Sequence, residues 1–470
     1  MPLTSISFVL FFVVVFFIYW LPTVKDKKVF QNYILLASSL VFYAFFDVKF
    51  LILLVASSLV FFKLGRMIFL TNNENNKKYI LWLGLAIALL MLGYFKYTNF
   101  FIGSVVSFMN MLNINVTYSL IQIFAPIGIS FYTFRLISYL IDIYNEEYEP
   151  QENVVMFSTY IAFFPCIIAG PIDRPGNFIG QLKVAREFNY GKAIIGCQQI
   201  LWGLFKKFVV ADNCAVIVNI YFGNAEMHSG STLLIGACLY LIQLYADFSG
   251  YSDIAIGFAR LLGLQVTQNF NYPLFATNIA DFWHRWHISL TSWLTDYVFT
   301  PLSFIMRKYG KLGAIIAVLI NFAFVGLWHG ANWTYVIHGL INGLFFIPLI
   351  LIGRTKERGR LRTFINMIFT FLLMSIIVVI FRAGDISQAW DYYYHMFSRS
   401  LFSVPEIANI KTFVFVVILI GIEWVGRKKE FPIESLPFKS RVIRWTCYYM
   451  IILAIIFFSG KQTTFIYSQF

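Results

Sequence analysis

Two segments gather groups able to move a proton in a chain otherwise composed for lipid. The first, DFWHRWHISLTSWLTDYVFTPL (Asp281 to Leu302), holds His284, Arg285, His287 and Asp296 among aromatic residues. The second, GLWHGANWTYVIHGLING, holds His329 and His338. Four of the six histidines lie in these two stretches, and ionisable groups at membrane depth are costly enough to mark functional sites. A reaction that fits is transfer of an acyl group from a thioester to a hydroxyl. It needs a base for the hydroxyl proton and an apolar path for the donor. Histidine suits the base because it titrates near operating pH. Burial disfavours the charged imidazolium and leaves a neutral ring able to take a proton.

His329 ends the apolar stretch Ala314 to Trp328, immediately before Gly330. Such a position suits a deep base beside a backbone break, and equally a histidine satisfied by a carbonyl at a helix end. His284 and His287 are three apart, so a helix would set them on one face with Thr291 or Asp281. Trp283 and Trp286 read as interfacial aromatics or as a wall of a reaction chamber, and Arg285 as a snorkelling anchor or a substrate contact. Asn269 and Asn271, on the Pro-terminated turn QNFNYPLF, either donate to a substrate carbonyl or cap the turn. With Trp328 and Asn332 of the second segment they complete the candidate substrate-binding set: Asn269, Asn271, Trp283, Arg285, Trp286, Trp328 and Asn332. No metal site is expected. Three histidines could supply nitrogens, but Arg285 would oppose a cation and no second shell is evident. His338 reads as a packing histidine, and His228 and His395 fall in expected external loops. Arg135 and Asp142, and Asp247, Asp253 and Arg260, are further charges near membrane depth. Asp253 and Arg260, two turns apart on one helix face, could pair with charges on other helices, and an internal ion pair is the stronger reading for Arg260.

The elements that must carry these residues follow from composition. Hydrophobic residues make up 59% of 470 and charged ones 13%, about half the charged share of a soluble domain. Apolar runs of bilayer-crossing length recur: Ile6 to Leu21, then about 30–46, 50–70, 78–95, 119–141, 153–170, 194–222, 232–263, 312–328, 332–353, 362–382, 411–426 and 443–459. Continuous rather than alternating runs exclude a β-barrel. The expected fold is all-α and polytopic, a single domain over 1–470 with eleven or so transmembrane helices. One or two re-entrant or interfacial pieces are added near 153–170 and 275–300, where Pro, Gly and charge interrupt the apolar pattern.

The net charge of +13 excludes little by itself, but its placement does. Basic residues cluster between apolar runs, at Lys25 to Lys28, Lys77 and Lys78, Arg354 to Arg362, Arg427 to Lys429 and Lys439 to Arg444. This is the positive-inside pattern, not a nucleic-acid face. It places these clusters in the cytoplasm and the N-terminus, Gly223–Ser231 and Ala383–Asn409 outside. The first apolar run lacks a preceding basic residue and a small-residue cleavage site, and reads as an uncleaved helix. The five cysteines show no paired spacing and read as small buried hydrophobes.

Several motifs in order and spacing carry a resemblance. They are FKYTNFF (Phe95 to Phe101), PIGISFYTFRLISYLIDIY (Pro126 to Tyr144), FFPCIIAGPIDR (Phe163 to Arg174), DFSGYSDIAIGFARLLG (Asp247 to Gly263), the long segment Asn269 to Leu302, GLWHGANWTYV (Gly326 to Val336) and the terminal FIYSQF. From residue 95 onward the chain resembles the membrane-bound O-acyltransferase superfamily, in particular its alginate, peptidoglycan and cellulose O-acetylating bacterial branch. The resemblance implies a helical bundle around a central funnel, a cell-envelope enzyme of the bacterial inner membrane, and His329 as catalytic histidine with His287 as second polar element. It implies no bound cofactor, a cytoplasmic acyl thioester such as acetyl-CoA as donor, and an extracytoplasmic polysaccharide or partner protein as acceptor. Arg135, His338 and Asn342 depart from the family's frequent Gln, Trp and His. D-alanyl transfer to teichoic acid is a related alternative, and a polysaccharide or lipid transporter is one from another class. The absence of an internal repeat counts against the transporter.

Overall fold

A computed structural model describes residues 1–21, 25–118, 121–150, 152–353, 359–434 and 440–466. Parts of the basic stretches Arg354 to Arg362 and Lys439 to Arg444, and the last four residues of the FIYSQF motif, lie outside the described residues. The helices are α1 (Ile6–Tyr19), α2 (Lys27–Ala44), α3 (Val48–Leu70), α4 (Glu74–Leu92), α5 (Thr98–Met111), α6 (Ile129–Tyr144), α7 (Val154–Ala162), α8 (Pro175–Leu182), α9 (Tyr190–Phe205) and α10 (Asp212–Gly223). They continue as α11 (Gly230–Leu261), α12 (Ile279–Arg285), α13 (Ile288–Leu294), α14 (Thr300–Ile305), α15 (Gly310–His329), α16 (Trp333–Ile352), α17 (Arg360–Arg382), α18 (Ile386–Met396), α19 (Ile410–Gly426) and α20 (Arg441–Phe458). No strand occurs among the described residues, so the chain is all-α as expected. Seven helical stretches among them are long and apolar enough to cross a membrane. The eleven or so spans expected from the sequence include shorter helices as well, such as α1 with 14 residues.

The chain packs as two units. The first comprises Met1–Gly196 with Ala255–Thr267, and the second Cys197–Ile254 with Gln268–Phe470. In the first, α6 is buried on nearly every side, its polar residues Ser130, Thr133, Arg135, Ser138 and Asp142 included, so their polar groups need partners inside the protein. The stretch near 153–170 is a nine-residue helix, α7, followed by buried non-helical turns through Gly170. Such backbone survives away from water only if its carbonyls find donors inside the protein. Arg135 supplies them. Its Nη1 donates to the Tyr160 and Ile161 carbonyls at 3.0 and 3.2 Å, and its Nη2 to the Pro171 carbonyl at 2.9 Å. Arg135, read from the sequence only as a charge near membrane depth, is thus satisfied by a fan of bonds to main-chain oxygens.

In the second unit α15 and α16 form a helical hairpin in near backbone contact. A Cβ on Gly326 would stand 2.3 Å from the Tyr335 carbonyl oxygen, and one on Gly339 2.1 Å from that of Phe322. Small residues permit this approach where no hydrophobic effect drives helices together. The hairpin sets where His329 ends α15 and where His338 is buried on α16. Elsewhere, α9 runs through a π-helical stretch, Lys206–Ala211, into α10. The long α11 packs in the interior of this unit for much of its length.

Two outcomes follow from this packing. Gly339→Leu drives its side chain into a neighbouring carbonyl, and overpacking of this kind costs at least about 2 kcal/mol. A clearly lowered thermal midpoint in detergent is expected. Substitution at Gly93, where a Cβ meets nothing within 4 Å, should leave the midpoint in place. Arg135→Gln keeps an amide donor but loses the charged fork, at a cost of about 2–3 kcal/mol for bonds to a charged group. Faster proteolysis within 163–171 is the expected readout.

Candidate active site

The two histidine segments meet in the second unit around one indole. The Trp328 ring lies 5.2 Å from the His287 ring and 5.1 Å from that of His329, centroid to centroid. Both imidazoles are buried, at 1% and 3% exposure. His287 also meets Phe248 of α11 edge-on at 4.6 Å, and His329 meets Phe381 of α17 edge-on at 5.1 Å. Aromatic faces and edges thus surround both rings, in a lining from which water is largely excluded.

His329 is delivered by the end of α15. Its C-cap, Gly330, is extended, and Asn332 then restarts the chain as the N-cap of α16 by accepting from the Thr334 amide at 3.0 Å. The Asn332 amide nitrogen donates to the Gly384 carbonyl at 2.7 Å. Asn332, expected to contact substrate, therefore serves as a cap and a tie between loops.

His287 arrives differently from the sequence expectation. No helix runs from Asp281 to Thr291: α12 stops at Arg285 and α13 starts at Ile288, with His287 between them as a left-handed N-cap at φ 45°, ψ 53°. His284 and His287 consequently do not share a face. His284 is exposed and His287 buried. A non-glycine residue in the left-handed region costs about 1 kcal/mol or more and persists only where its surroundings fix it. Here Asn269 fixes it. The Asn269 carbonyl accepts from the Ile288 amide at 2.8 Å. Its side-chain oxygen accepts from the Ser289 hydroxyl at 2.6 Å and the Ser289 amide at 3.3 Å. Its side-chain nitrogen donates to Ser252 of α11 at 3.1 Å.

The remaining candidates sort by the same geometry. Asn269 uses both ends of its amide inside the protein, on Ser252 and Ser289. Asn271 is exposed, and its backbone exchanges bonds with Arg285. Arg285 pairs with Asp281 at 2.7 Å in a partly exposed position, which fits the anchor reading. Trp286 is buried among Phe270, Phe282 and Tyr245. Trp283 donates to the Asn342 side-chain oxygen at 3.2 Å. Asn342 in turn donates to the His338 carbonyl at 2.8 Å and meets His338 Nε2 at 3.3 Å. His338 Nδ1 lies 3.3 Å from the Ile377 carbonyl, which fits the packing role read for it. Two of the three departures from the family pattern, His338 and Asn342, thus satisfy each other and Trp283.

Sequence reasoning did not single out Phe248, Phe381 or Ser289. No signal in the sequence separates these two from the rest of the 53 phenylalanines. It also passed over Lys206, Lys207 and Asp212, all buried. Lys206 pairs with Asp253 at 2.5 Å and Lys207 with Asp212 and Asp247 at 2.9 and 2.7 Å. The expectation that Asp253 pairs with a charge on another element is met by Lys206. Among the described residues no cluster of three or more His, Cys, Asp or Glu is arranged to hold a metal ion.

Comparison with known proteins identifies the family. A family model described as MBOAT, membrane-bound O-acyltransferase family, matches residues 151–384, which include both histidines. The chain is 33% identical over 420 residues to the probable alginate O-acetylase AlgI of Azotobacter vinelandii, covering 87% of this chain and 82% of that protein. It is 31% identical over 405 residues to the peptidoglycan O-acetyltransferase of Helicobacter pylori, covering 78% and 74%. Similarity to the teichoic acid D-alanyltransferase of Bacillus subtilis, 31% identical, spans 46% of this chain and 57% of that one. With buried histidines at two chain breaks, an all-α membrane architecture and these relatives, the chain belongs to the membrane-bound O-acyltransferase family.

Proposed function

We propose that this O-acyltransferase moves an acetyl group from a cytoplasmic thioester, acetyl-CoA, to a hydroxyl of an extracytoplasmic cell-surface polysaccharide or its partner protein. It acts in the bacterial inner membrane with its N-terminus outside, the whole chain serving as one acyltransferase. The observation that carries the site assignment is the placement of two buried imidazoles against the single ring of Trp328. His329 takes the proton of the acceptor hydroxyl as its oxygen attacks the thioester carbonyl. The tetrahedral intermediate collapses, the C–S bond breaks, and the proton passes from the imidazolium to the departing thiolate. His287 orients or polarises a reactant in the same apolar lining. Transfer is direct, within a ternary complex, and requires no metal or bound cofactor. The acceptor assignment rests on the alginate and peptidoglycan O-acetylating relatives. The D-alanyltransferase relatives favour a second reading, an aminoacyl donor loaded on a carrier protein.

His329→Ala should fold, with an unchanged thermal midpoint, and lose acetyl transfer by about 100-fold or more, the range of general-base contributions. Wild-type rate in this variant would refute the assignment. Asn269→Ala should release the left-handed turn at His287, lowering kcat several-fold while KM for the donor holds, as expected of a residue that only positions another. Offered acetyl-CoA and a D-alanyl carrier protein side by side, the purified protein should consume the first and leave the second intact.

A further inference from the structure

The histidines belong to the second unit; the first carries a cavity of its own, of about 280 Å³, at the small end of ligand pockets. Three helices of that unit meet at it. The first turn of α2 brings Lys28 and Val29, the first turn of α7 brings Val155 and Met156, and Lys183 closes α8. Among the described residues that line it, two are lysines and none is acidic. The starts of α2 and α7 both present the positive end of a helix dipole at its wall.

The lysines are set in place by polar bonds between distant stretches of chain. Asn32 Nδ2 donates to the Leu182 carbonyl at 3.0 Å, which answers a carbonyl left open at the end of α8. One residue earlier, Gln31 donates to the Arg186 carbonyl at 3.1 Å and accepts from the Arg186 amide at 2.9 Å. Residues 182–186 are thereby stitched along the start of α2, with Lys183 inside the stitched span. Lys28 lies one helical turn before Asn32, on the same face of α2.

Asn32 leaves one polar atom open. It lines the cavity, is 3% exposed, and has its nitrogen committed to Leu182. Its Oδ1 has no donor among the described residues, and a buried amide oxygen is seldom left so. Beside it Tyr33 lines the same cavity and is exposed. Tyrosine settles at the level of lipid headgroups, and the basic run Lys25 to Lys28 between two apolar runs marks that level here.

We propose that this cavity is a headgroup site for a glycerophospholipid whose phosphodiester carries a hydrogen-bond donor beyond it, phosphatidylglycerol or phosphatidylethanolamine. Lys28 and Lys183 take the phosphate. The glycerol hydroxyl or the ammonium donates to Asn32 Oδ1. The acyl chains leave past Val29 and Tyr33, along the exposed apolar side chains of α2 that continue to Val41. The lipid bridges α2, α7 and α8, and its binding does not depend on the acyl-transfer reading.

In the test, delipidated full-length protein in detergent is titrated with short-chain phosphatidylglycerol, phosphatidylethanolamine and phosphatidylcholine. Native mass spectrometry counts the bound lipid. The first two should each saturate one tight site. Phosphatidylcholine has the same phosphodiester but no donor, and should bind several-fold more weakly. Lys28→Gln and Lys183→Gln should each weaken phosphatidylglycerol about fivefold, and together about thirtyfold. Lys192→Gln, at an exposed lysine outside the cavity, should leave binding unchanged. Asn32→Leu should bring phosphatidylethanolamine down to the level of phosphatidylcholine. Should that variant not fold, the lysine variants and the lipid preference of the wild type carry the test, with an unchanged lipid-free thermal midpoint as the check on folding. Equal wild-type affinity for phosphatidylethanolamine and phosphatidylcholine would overturn the proposal. So would a double lysine variant that binds like the wild type, or an equal loss in Lys192→Gln. Glycerophosphoglycerol, the headgroup without chains, should compete poorly; competition as strong as that of the whole lipid would assign the cavity to a soluble phosphate ester and overturn the lipid site.

Discussion

Backbone that leaves the helix at membrane depth has no water to turn to, and each interruption here exists only because a particular side chain answers it. Arg135 gathers three carbonyls around the turns after α7. Asn269 takes the amides of Ile288 and Ser289 where α12 gives way to α13. Lys207 and its two carboxylates take the extended residues after α20. The physics is common to all three: an unsatisfied buried polar group costs several kcal/mol in an apolar medium, which exceeds what most single packing contacts return. The helices supply the scaffold, but these polar contacts decide where the chain can depart from it.

Departure is what the chemistry needs. A histidine inside a continuous helix has its ring committed to one helix face, among neighbours three and four residues away. At a break the ring enters a space defined by other elements. His329 stands at the last residue of α15 and His287 at a left-handed junction, and Trp328 meets both rings. The rings of Phe248 and Phe381 pack against the two imidazoles, and in the proposed reaction such an apolar lining would strengthen the electrostatic interactions that develop as a hydroxyl loses its proton. The positions of Gly326 and Gly339 serve the same end at one remove, since backbone contact between α15 and α16 sets the depth at which α15 stops.

Much of this was legible in the sequence because charge stands out in an apolar chain. The two histidine segments, the all-α class and the broken character of 153–170 are each carried by residues close together in sequence. What was not legible depends on distant partners or on rare backbone. The i,i+3 argument that joined His284 to His287 assumes an unbroken helix, and neither Gly nor Pro at 286–287 warned of the junction. A left-handed histidine is set by Asn269, eighteen positions earlier, and cannot be inferred from local propensity. Asn269 looked free to meet a substrate because its partners Ser252 and Ser289 lie on other elements. Lys206 and Lys207 disappeared into an apolar run for the same reason: their partners on α11 are forty or more positions away.

That last case bears on why ions are present at all. Replacing a buried ion group by apolar side chains of similar volume is often neutral or stabilising, so stability alone is a weak account of Lys207, Asp212 and Asp247. Apolar packing would hold the segment after α20 to the second unit, but without fixing which residue sits where, because greasy contacts tolerate sliding. Hydrogen bonds from Thr463 and Ile466 to two separate carboxylates do not. A shift of one residue would exchange a hydroxyl donor for another side chain and turn the amide of Ile466 away from Asp247. The cluster thus trades stability for register, which is useful only if the position of this segment matters beyond holding the fold together.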